Sequence, residues 1–171
     1  MNYIILFGLL MVFVMTIQAA GVPQVEIVIK NRGTIIVELR PDEAPLTTAH
    51  FLKLVNSGYY NGVGFNRVVA GFVIQGGDPR TKGMSEDPKL KLGTEYTKRT
   101  FARGTLSYAR SFNSASQTYG ATSPYQFFIT TGNAKHLDAD FCNFGYVVSG
   151  MEVADKVVQG DVIQSMKVIT K

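Results

Sequence analysis

Short runs of apolar residues, separated by turns rich in glycine, proline and asparagine, occupy most of this chain. The run from Val25 to Ile29 alternates as a strand does, and the β-branched run from Thr34 to Leu39 returns after a turn. Further runs predict strands at residues 65–69, 72–75, 105–110, 127–130, 143–148 and 162–170. In the last of these, alternation directs Val162, Met166 and Val168 inward.

Two segments have helical spacing instead. Apolar residues recur every three or four positions at Leu46, Ala49, Leu52 (or Phe51) and Val55. Asp42 is the predicted N-cap of this helix, and Gly58 its end. A second helix is predicted from Met151 to Val158, with Ser149 as N-cap. Many short strands with two separate helices are typical of a barrel capped by helices.

The N-terminal segment is a continuous apolar stretch. Residues Tyr3 to Ile17 form an almost unbroken run, and small residues follow. The run is short for a membrane span, which needs about 20 residues, and it has the position of a secretory h-region. We therefore expect residues 1–21 to be a cleaved signal peptide, which leaves no membrane span, and residues 22–171 to be the mature domain. The expected location is the secretory lumen, the periplasm or the exterior. Because Met1-Asn2-Tyr3 lacks Lys and Arg, an uncleaved anchor or a buried N-terminal strand stays open.

Charge and cysteine content narrow the function classes. The net charge is +4, and acidic residues interrupt the densest basic stretch. That stretch contains Lys89, Lys91, Lys98, Arg99 and Arg103, with Glu86, Asp87 and Glu95 among them. This predicts a solvated face rather than a nucleic-acid site. Cys142 is the single cysteine, and His50 and His136 lie far apart in sequence, so we expect neither a disulfide nor a metal.

Two segments set single polar residues among bulky apolar ones. The first reads Phe-Asn-Arg-Val from Phe65 to Val68 and Phe-Val-Ile-Gln-Gly-Gly-Asp-Pro from Phe72 to Pro79. The second, from Tyr125 to Ile129, reads Tyr-Gln-Phe-Phe-Ile. Sites for small apolar groups have this character, because a few aimed polar groups orient the ligand within an apolar lining.

These segments resemble the cyclophilins, a family of peptidyl-prolyl isomerases. The likeness runs in one order, with one insertion, from about Val25 to Val168. It implies a mainly β fold, a closed eight-stranded antiparallel barrel capped by two α-helices. The implied partners are proline-containing peptides and unfolded or flexible proteins, with no cofactor. A closed barrel has no exposed sheet edge, so a monomer is expected.

The resemblance also implies roles for individual residues. Arg67 and Gln75 match the catalytic pair, with Gln75 holding Arg67 and the substrate carbonyl side. The implied substrate-binding residues are Phe72, Val73, Phe128 and Leu137 for the proline ring, Ala109 and Arg110 for the substrate backbone, Gln126 beside them, and His136 at the rim. Alternation puts Phe127 and Phe128 on opposite faces, and the family pattern selects Phe128 for the site.

Several positions depart from the usual family pattern. Asn66 and Phe141 stand where histidine is common, Val73 where methionine is usual, and Arg110 where many members have asparagine. His136 stands where tryptophan often occurs. Since that tryptophan favours cyclosporin binding in the family, we expect weak cyclosporin binding. Arg67 and the apolar floor of the site are retained.

The function favoured by this pattern is cis–trans isomerisation of X-Pro bonds, assisting protein folding in the secretory route. Two alternatives remain at this point. One is a catalytically weak module that binds proline-containing peptides, and this alternative is suggested by the altered residues Asn66, Val73 and Phe141. The other is an interaction scaffold whose long loop 111–123 contacts a protein partner. We expect Tyr108, Phe112 and Tyr119 to be its contact residues.

Overall fold

The computed structural model describes residues 21–87 and 89–170. Its strands are β1 (Pro23–Ile29), β2 (Gly33–Leu39), β3 (Phe65–Val69), β4 (Val73–Gly76), β5 (Thr105–Asn113), β6 (Thr118–Thr130), β7 (Gly145–Ser149) and β8 (Ile163–Thr170). The helices are α1 (Pro45–Asn56) and α2 (Met151–Ala154), with short 3-10 helices at Pro79–Lys82 and Lys135–Leu137. The eight strands form one sheet in the order β3-β4-β6-β5-β7-β2-β1-β8, and neighbouring strands pair antiparallel.

The sheet curls until its two edge strands approach each other. A single antiparallel bridge, Gly64 to Val162, joins the segments that precede β3 and β8. Backbone bonds extend this contact, since Ile163 N–H donates to Val63 O at 2.9 Å and Phe65 N–H to Asp161 O at 2.8 Å. The predicted mainly β fold with eight antiparallel strands and two helices is confirmed, and closure is confined to this short region.

Alternate strand positions fill the interior of the curled sheet. Phe51 of α1 packs against Tyr60, Tyr108, Phe127 and Phe144 with ring centroids 5.3–6.1 Å apart. These rings are almost completely buried. In β8, Met166 is buried and Val168 packs against the interior, as predicted, but the first inward residue of the strand is Ile163, which is fully buried. Val162, predicted to face inward, is half-buried, because it lies one residue earlier in the bridge to Gly64.

Helix α1 begins later than its sequence indicated. The predicted N-cap Asp42 is wrong, because the N-cap is Ala44, whose side chain makes no capping bond, and Pro45 is the first helical residue. The Glu95 carboxylate accepts the free amides instead, from Leu46 N–H at 3.2 Å and Thr47 N–H at 2.6 Å. A side chain distant in sequence therefore caps this helix, and an anion at a helix N-terminus is favourable.

Helix α2 is shorter than predicted. It ends at Ala154 rather than Val158, and its N-cap is Gly150 in the left-handed region (φ 84°) rather than Ser149. A side chain at Gly150 would meet Thr34 O at 2.2 Å, so close approach to β2 requires glycine there. After Ala154 the chain continues in tight turns, and Asp161 accepts a bond from Val158 N–H at 2.9 Å.

The segment 111–123, expected to be a loop, forms most of a β-hairpin. Strands β5 and β6 pair as far as Asn113 and Thr118, with Phe112 opposite Tyr119. Asn113 Oδ1 accepts from Ala115 N–H at 3.0 Å and Ser116 N–H at 3.2 Å, which orders the tip. The interpretation as a loop was wrong because the polar composition of a solvated hairpin resembles that of a loop.

The buried state of the single cysteine agrees with its sequence context. Cys142 lies in the interior, and burial raises the pKa of its thiol to about 11.

The predicted signal peptide, residues 1–21, lies almost wholly outside the described residues. No helix within the described ranges has the length and apolar character needed to cross a bilayer.

Candidate active site

A half-open apolar cavity of about 410 Å³ lies on the outer face of the sheet. Its lining residues come from β3, the turn before β4, β4, β5, β6, the second 3-10 helix and the segment after it: Arg67, Phe72, Val73, Gln75, Ala109, Arg110, Phe112, Tyr119, Phe128, Leu137 and Phe141. The floor consists of side chains that pack together and are buried, among them Val73, Phe128 and Leu137. A cavity of this size suits a small apolar group.

Strand alternation explains why both faces of the sheet carry apolar side chains, one face toward the interior and the other toward the cavity floor. In β6, Phe127 points into the interior, whereas Phe128 belongs to the outer cluster. In β4, Ile74 points inward, whereas Val73 and Gln75 line the cavity. Adjacent residues therefore serve the interior and the cavity in turn.

Arg67 reaches the cavity because β3 contains a bulge. Phe65 pairs with Gly76 and Arg67 with Gln75, so Asn66 is the additional residue. A bulge lets two successive side chains face the same side and often occurs beside active sites. Here both Asn66 and Arg67 face outward. The guanidinium carbon of Arg67 lies 5.7 Å from the centroid of the Phe72 ring.

Three side-chain amides form a network beside Arg67. Gln126 Oε1 accepts from Gln75 Nε2 at 3.0 Å and from Asn66 Nδ2 at 3.2 Å. Gln126 Nε2 faces Asp78 Oδ2 at 3.4 Å. Since a carboxylate only accepts hydrogen bonds, Asp78 fixes the orientation of the Gln126 amide and directs its oxygen toward the other two donors.

Asp78 is itself held by its neighbour Arg80. The Arg80 guanidinium donates to both carboxylate oxygens at 2.6–3.1 Å, and Arg80 N–H donates at 2.9 Å. The side-chain bond from Arg80 is the main cause that lowers the pKa of Asp78, against the opposing effect of burial. Asp78 also caps the 3-10 helix Pro79–Lys82, and its contact with Gln126 was not anticipated from the sequence.

Gly77 permits the close approach of this turn to β6. Its φ is +95°, and a side chain there would meet Tyr125 O at 2.4 Å. Any larger residue would therefore displace the strand that carries Gln126. This explains the second glycine of the Gly-Gly-Asp-Pro sequence.

Arg110 crosses the opposite rim of the cavity. Its guanidinium donates to Gly120 O at 3.0 Å, to Tyr119 O at 3.3 Å and to Asp140 O. It also lies 5.8 Å from the ring centroid of Tyr119 and 5.9 Å from that of Phe141. The side chain thus ties the hairpin to the segment that carries Phe141.

The structure brings most of the predicted site residues together. Eight line the cavity: Arg67, Gln75, Phe72, Val73, Ala109, Arg110, Phe128 and Leu137. Gln126 lines an adjoining cavity of about 310 Å³ that shares Gln75, Ala109 and Arg110 with the first. His136 is exposed and stacks on Phe72 with centroids 5.3 Å apart.

The predicted contact between Gln75 and Arg67 takes a different form. The two residues are partners across β3 and β4, but the Gln75 amide donates to Gln126. Within residues 21–87 and 89–170, no side-chain hydrogen bond joins Gln75 to Arg67. Sequence reasoning also missed Phe112 and Tyr119 as lining residues, because it assigned them to a separate partner surface.

One residue of the proposed partner surface is not available for contact. Tyr108 is 1% exposed, and its hydroxyl faces that of Tyr60 at 3.4 Å in the interior. The expectation that Tyr108 contacts a partner is therefore wrong. Alternation along β5 places it on the face opposite to Ala109.

The fold and the cavity together define a class of protein: a curled antiparallel sheet with an apolar pocket, an arginine at one edge and a second arginine across the opposite rim. Among the described residues, no three His, Cys, Asp or Glu side chains lie together as metal ligands would. The polar groups at the cavity are the Arg67 guanidinium, the Arg110 guanidinium across the opposite rim, and a set of amides. This arrangement can bind an apolar ring and offer donors to it.

Comparison with known proteins identifies the family. The family model described as cyclophilin type peptidyl-prolyl cis-trans isomerase/CLD matches residues 24–171. The peptidyl-prolyl cis-trans isomerase B of Bacillus subtilis is 38% identical over 141 residues, covering 82% of this chain and 94% of that protein. A Helicobacter pylori peptidyl-prolyl cis-trans isomerase is 36% identical over 139 residues, covering 80% and 81%.

Solved structures agree with these relatives. A cyclophilin type isomerase of Cryptosporidium parvum superposes with a TM-score of 0.74 at 26% identity, covering 88% of this chain and 99% of that chain. The same protein was also crystallised in the presence of the dipeptide Ala-Pro, with a TM-score of 0.72. The chain belongs to the cyclophilin-type peptidyl-prolyl cis-trans isomerases, and its activity is isomerisation of X-Pro peptide bonds.

Proposed function

We propose that isomerisation takes place in the outer cavity and that Arg67 is its principal catalytic residue. The observation that carries this proposal is the position of Arg67 at the edge of an otherwise apolar floor. Within the described part of the chain, its guanidinium has no hydrogen bond or ion pair to another side chain, and it lies 5.7 Å from the centroid of the Phe72 ring. Its donors are therefore free for a substrate.

The chemistry requires rotation about one amide bond. Resonance gives the X-Pro bond partial double character and a barrier of about 18–20 kcal/mol. As the amide twists, the lone pair localises on the prolyl nitrogen. A donor aimed at that nitrogen stabilises the twisted state more than the planar one, which is the condition for catalysis. Arg67 offers a permanently charged, rigid set of donors, and such donors act most strongly in a site partly shielded from water.

The remaining side chains hold the substrate. Val73, Phe128 and Leu137 offer an apolar floor for the proline ring, with Phe72 at its edge. Gln75 and Gln126 offer amide groups beside it, and the backbone of Ala109 and Arg110 is the proposed partner of the substrate backbone. These assignments rest on position in the cavity and on the family pattern.

The test is isomerisation of an Ala-Pro peptide by residues 22–171, alongside Arg67→Ala. We expect the variant to lose most of the acceleration while keeping the wild-type melting temperature, because Arg67 is exposed. The matched control is Arg99→Ala, an exposed arginine paired with Glu43 outside the cavity. Arg67→Lys keeps the charge without the fork and should recover only part of the activity. Full activity in Arg67→Ala would refute the assignment.

We also propose that the enzyme assists folding in the secretory lumen or periplasm, as a monomer after removal of residues 1–21. Support comes from the apolar segment Tyr3 to Ile17 and from a sheet whose edges meet. N-terminal sequencing of the protein recovered from cells tests cleavage, and a retained Met1 contradicts it. Sedimentation of the recovered protein tests the monomer.

Weak cyclosporin binding is a further part of the proposal. His136 is exposed at the rim and stacks on Phe72, and it replaces the tryptophan that favours the drug in the family. His136→Trp should lower the cyclosporin inhibition constant without a comparable change in turnover. Nanomolar inhibition of the wild type would contradict the proposal.

A further inference from the structure

The β5–β6 hairpin contributes two aromatic side chains to the cavity. Phe112 and Tyr119, opposite each other in the hairpin, both line it. Their ring centroids are 5.2 Å apart, and Tyr119 stands edge-on to Phe141 at 4.7 Å. We call Phe112 and Tyr119 the aromatic wall. It extends the apolar floor toward solvent on the side of the cavity away from β3.

The aromatic wall is held in place rather than free. Arg110 donates to the backbone carbonyls of Tyr119 and Gly120 on the hairpin and of Asp140 across the rim. The tip is ordered as well, since Gln117 adopts the left-handed conformation (φ 54°) and its amide donates to Ser114 O at 2.6 Å. A surface fixed in this way can discriminate between ligands, because binding to it orders little of the protein.

The two rings differ in exposure. Tyr119 is half-buried against Phe141, but Phe112 is 52% exposed although it lines the cavity. Its free face is therefore continuous with the floor for the proline ring. An apolar side chain next to the substrate proline would cover this face and remove both surfaces from water.

We propose that the aromatic wall is a specificity determinant that selects substrates with a bulky apolar residue next to the proline. This inference rests on the proposed function, because it requires the proline ring to occupy the cavity floor. A substrate residue is favoured over a separate protein partner, since both rings face the same cavity as Arg67. Binding of a partner protein that does not compete with peptides would contradict the proposal.

The experiment measures selectivity rather than activity alone. Two peptide series vary one residue from Ala to Leu to Phe, either immediately before or immediately after the proline. For the wild type, we expect kcat/KM to rise from Ala to Phe in at least one series. Phe112→Ala should reduce the Phe-to-Ala ratio in that series roughly tenfold, the scale of one apolar contact in a pocket. Phe112→Leu should recover part of it.

The matched control is Tyr96→Ala, which removes an aromatic ring that is 62% exposed and does not line the cavity. It should leave the ratio unchanged. Equal ratios for the wild type and Phe112→Ala in both series would overturn the proposal. Dissociation constants for the same peptides give a second ratio that needs no turnover. Failure of Arg67→Ala to affect activity would thus count against the catalytic assignment without deciding the role of Phe112.

Discussion

The interior of the barrel and the cavity on its outer face are built from the same strands but differ in how their polar groups are used. In the interior, Tyr60 O–H donates to Tyr125 O at 3.1 Å and lies 3.4 Å from the Tyr108 hydroxyl. Burial is the main cause that raises the pKa of both Tyr60 and Tyr108, so both stay neutral. In the cavity, Arg67 instead directs a charged group to an open edge.

Along a single strand, the residues that face the interior therefore stabilise the fold, and the residues that face the cavity serve function. Interior positions are sealed, and the Tyr60 and Tyr108 hydroxyls are paired within the fold. Cavity positions are apolar at the floor and carry available donors at the edge. Because the two sets alternate, neighbouring residues should respond to mutation in opposite ways, which makes adjacent pairs the sharpest tests.

The largest expected effect is in the pair Phe127 and Phe128. Phe127→Ala should lower the free energy of unfolding by about 3–5 kcal/mol, because it leaves a cavity among the interior rings. Phe128→Ala should cost less stability, since its side chain borders a space already open to solvent, but it should reduce kcat/KM severely. Urea unfolding and peptide isomerisation measure the two quantities. Equal losses of stability in the two variants would break the comparison.

The next effect concerns the amide network at the edge. Gln126→Ala removes the acceptor shared by Gln75 and Asn66 and should lower kcat/KM about tenfold, equivalent to about 1.4 kcal/mol. The fold should persist, because water can reach the freed donors from the adjoining cavity. Gln164→Ala, an exposed glutamine on β8, is the control and should be neutral. A large loss of stability in Gln126→Ala would assign the network to the fold instead.

Acid should protonate Asp78, which orients the Gln126 amide, before it affects the interior. Because the folded-state pKa of Asp78 is lowered, its contribution is present above the unfolded pKa of about 3.9 and is lost as pH falls through the folded value. Below about pH 4 the melting temperature of the wild type should therefore fall more steeply than that of Asp78→Asn. The free energy of unfolding that Asp78 loses on protonation should be about 1 kcal/mol or less, which is typical of a capping carboxylate.

Asp155→Asn is the control for the acid experiment. Its pKa is also lowered, mainly by the side-chain bond to Arg103, but this ion pair is exposed and screened by salt. At high salt the melting temperature of Asp155→Asn should depend on pH as that of the wild type does, whereas the melting temperature of Asp78→Asn should still depend on pH differently. Parallel curves of melting temperature against pH for the wild type and Asp78→Asn would show that ionised Asp78 does not stabilise the fold.

The sequence predicted the alternation well and the local irregularities poorly. Period-two spacing correctly separated Phe127 from Phe128, because this depends only on neighbouring residues. The same rule would put Asn66 and Arg67 on opposite faces. The bulge in β3 puts both outside, and a bulge depends on the pairing strand, which a local pattern does not contain.

Contacts distant in sequence account for the other differences. Glu95 caps α1 from 48 and 49 residues away, so no local signal could replace Asp42 with it. The hairpin is held by Arg110 across the rim to Asp140, whereas its own sequence between Ser111 and Ser123 has the composition of a loop. The family pattern predicted the residues of the cavity floor but gave no reason to expect Phe112 in the aromatic wall.

The smallest expected change in kinetics concerns two adjacent residues of β4. Val73 lines the cavity and Ile74 faces the interior. In Val73→Met the longer, flexible side chain can extend into the open space above the floor and touch the proline ring, so KM should fall about two- to threefold with little change in stability. In Ile74→Met the same residue enters a filled interior, where altered shape costs up to about 1.5 kcal/mol, and KM should not change. Peptide kinetics and urea midpoints of both variants decide the matter. If Val73→Met behaves as Ile74→Met does, the floor of the cavity is as tightly packed as the interior, and catalysis would depend on the rim residues alone.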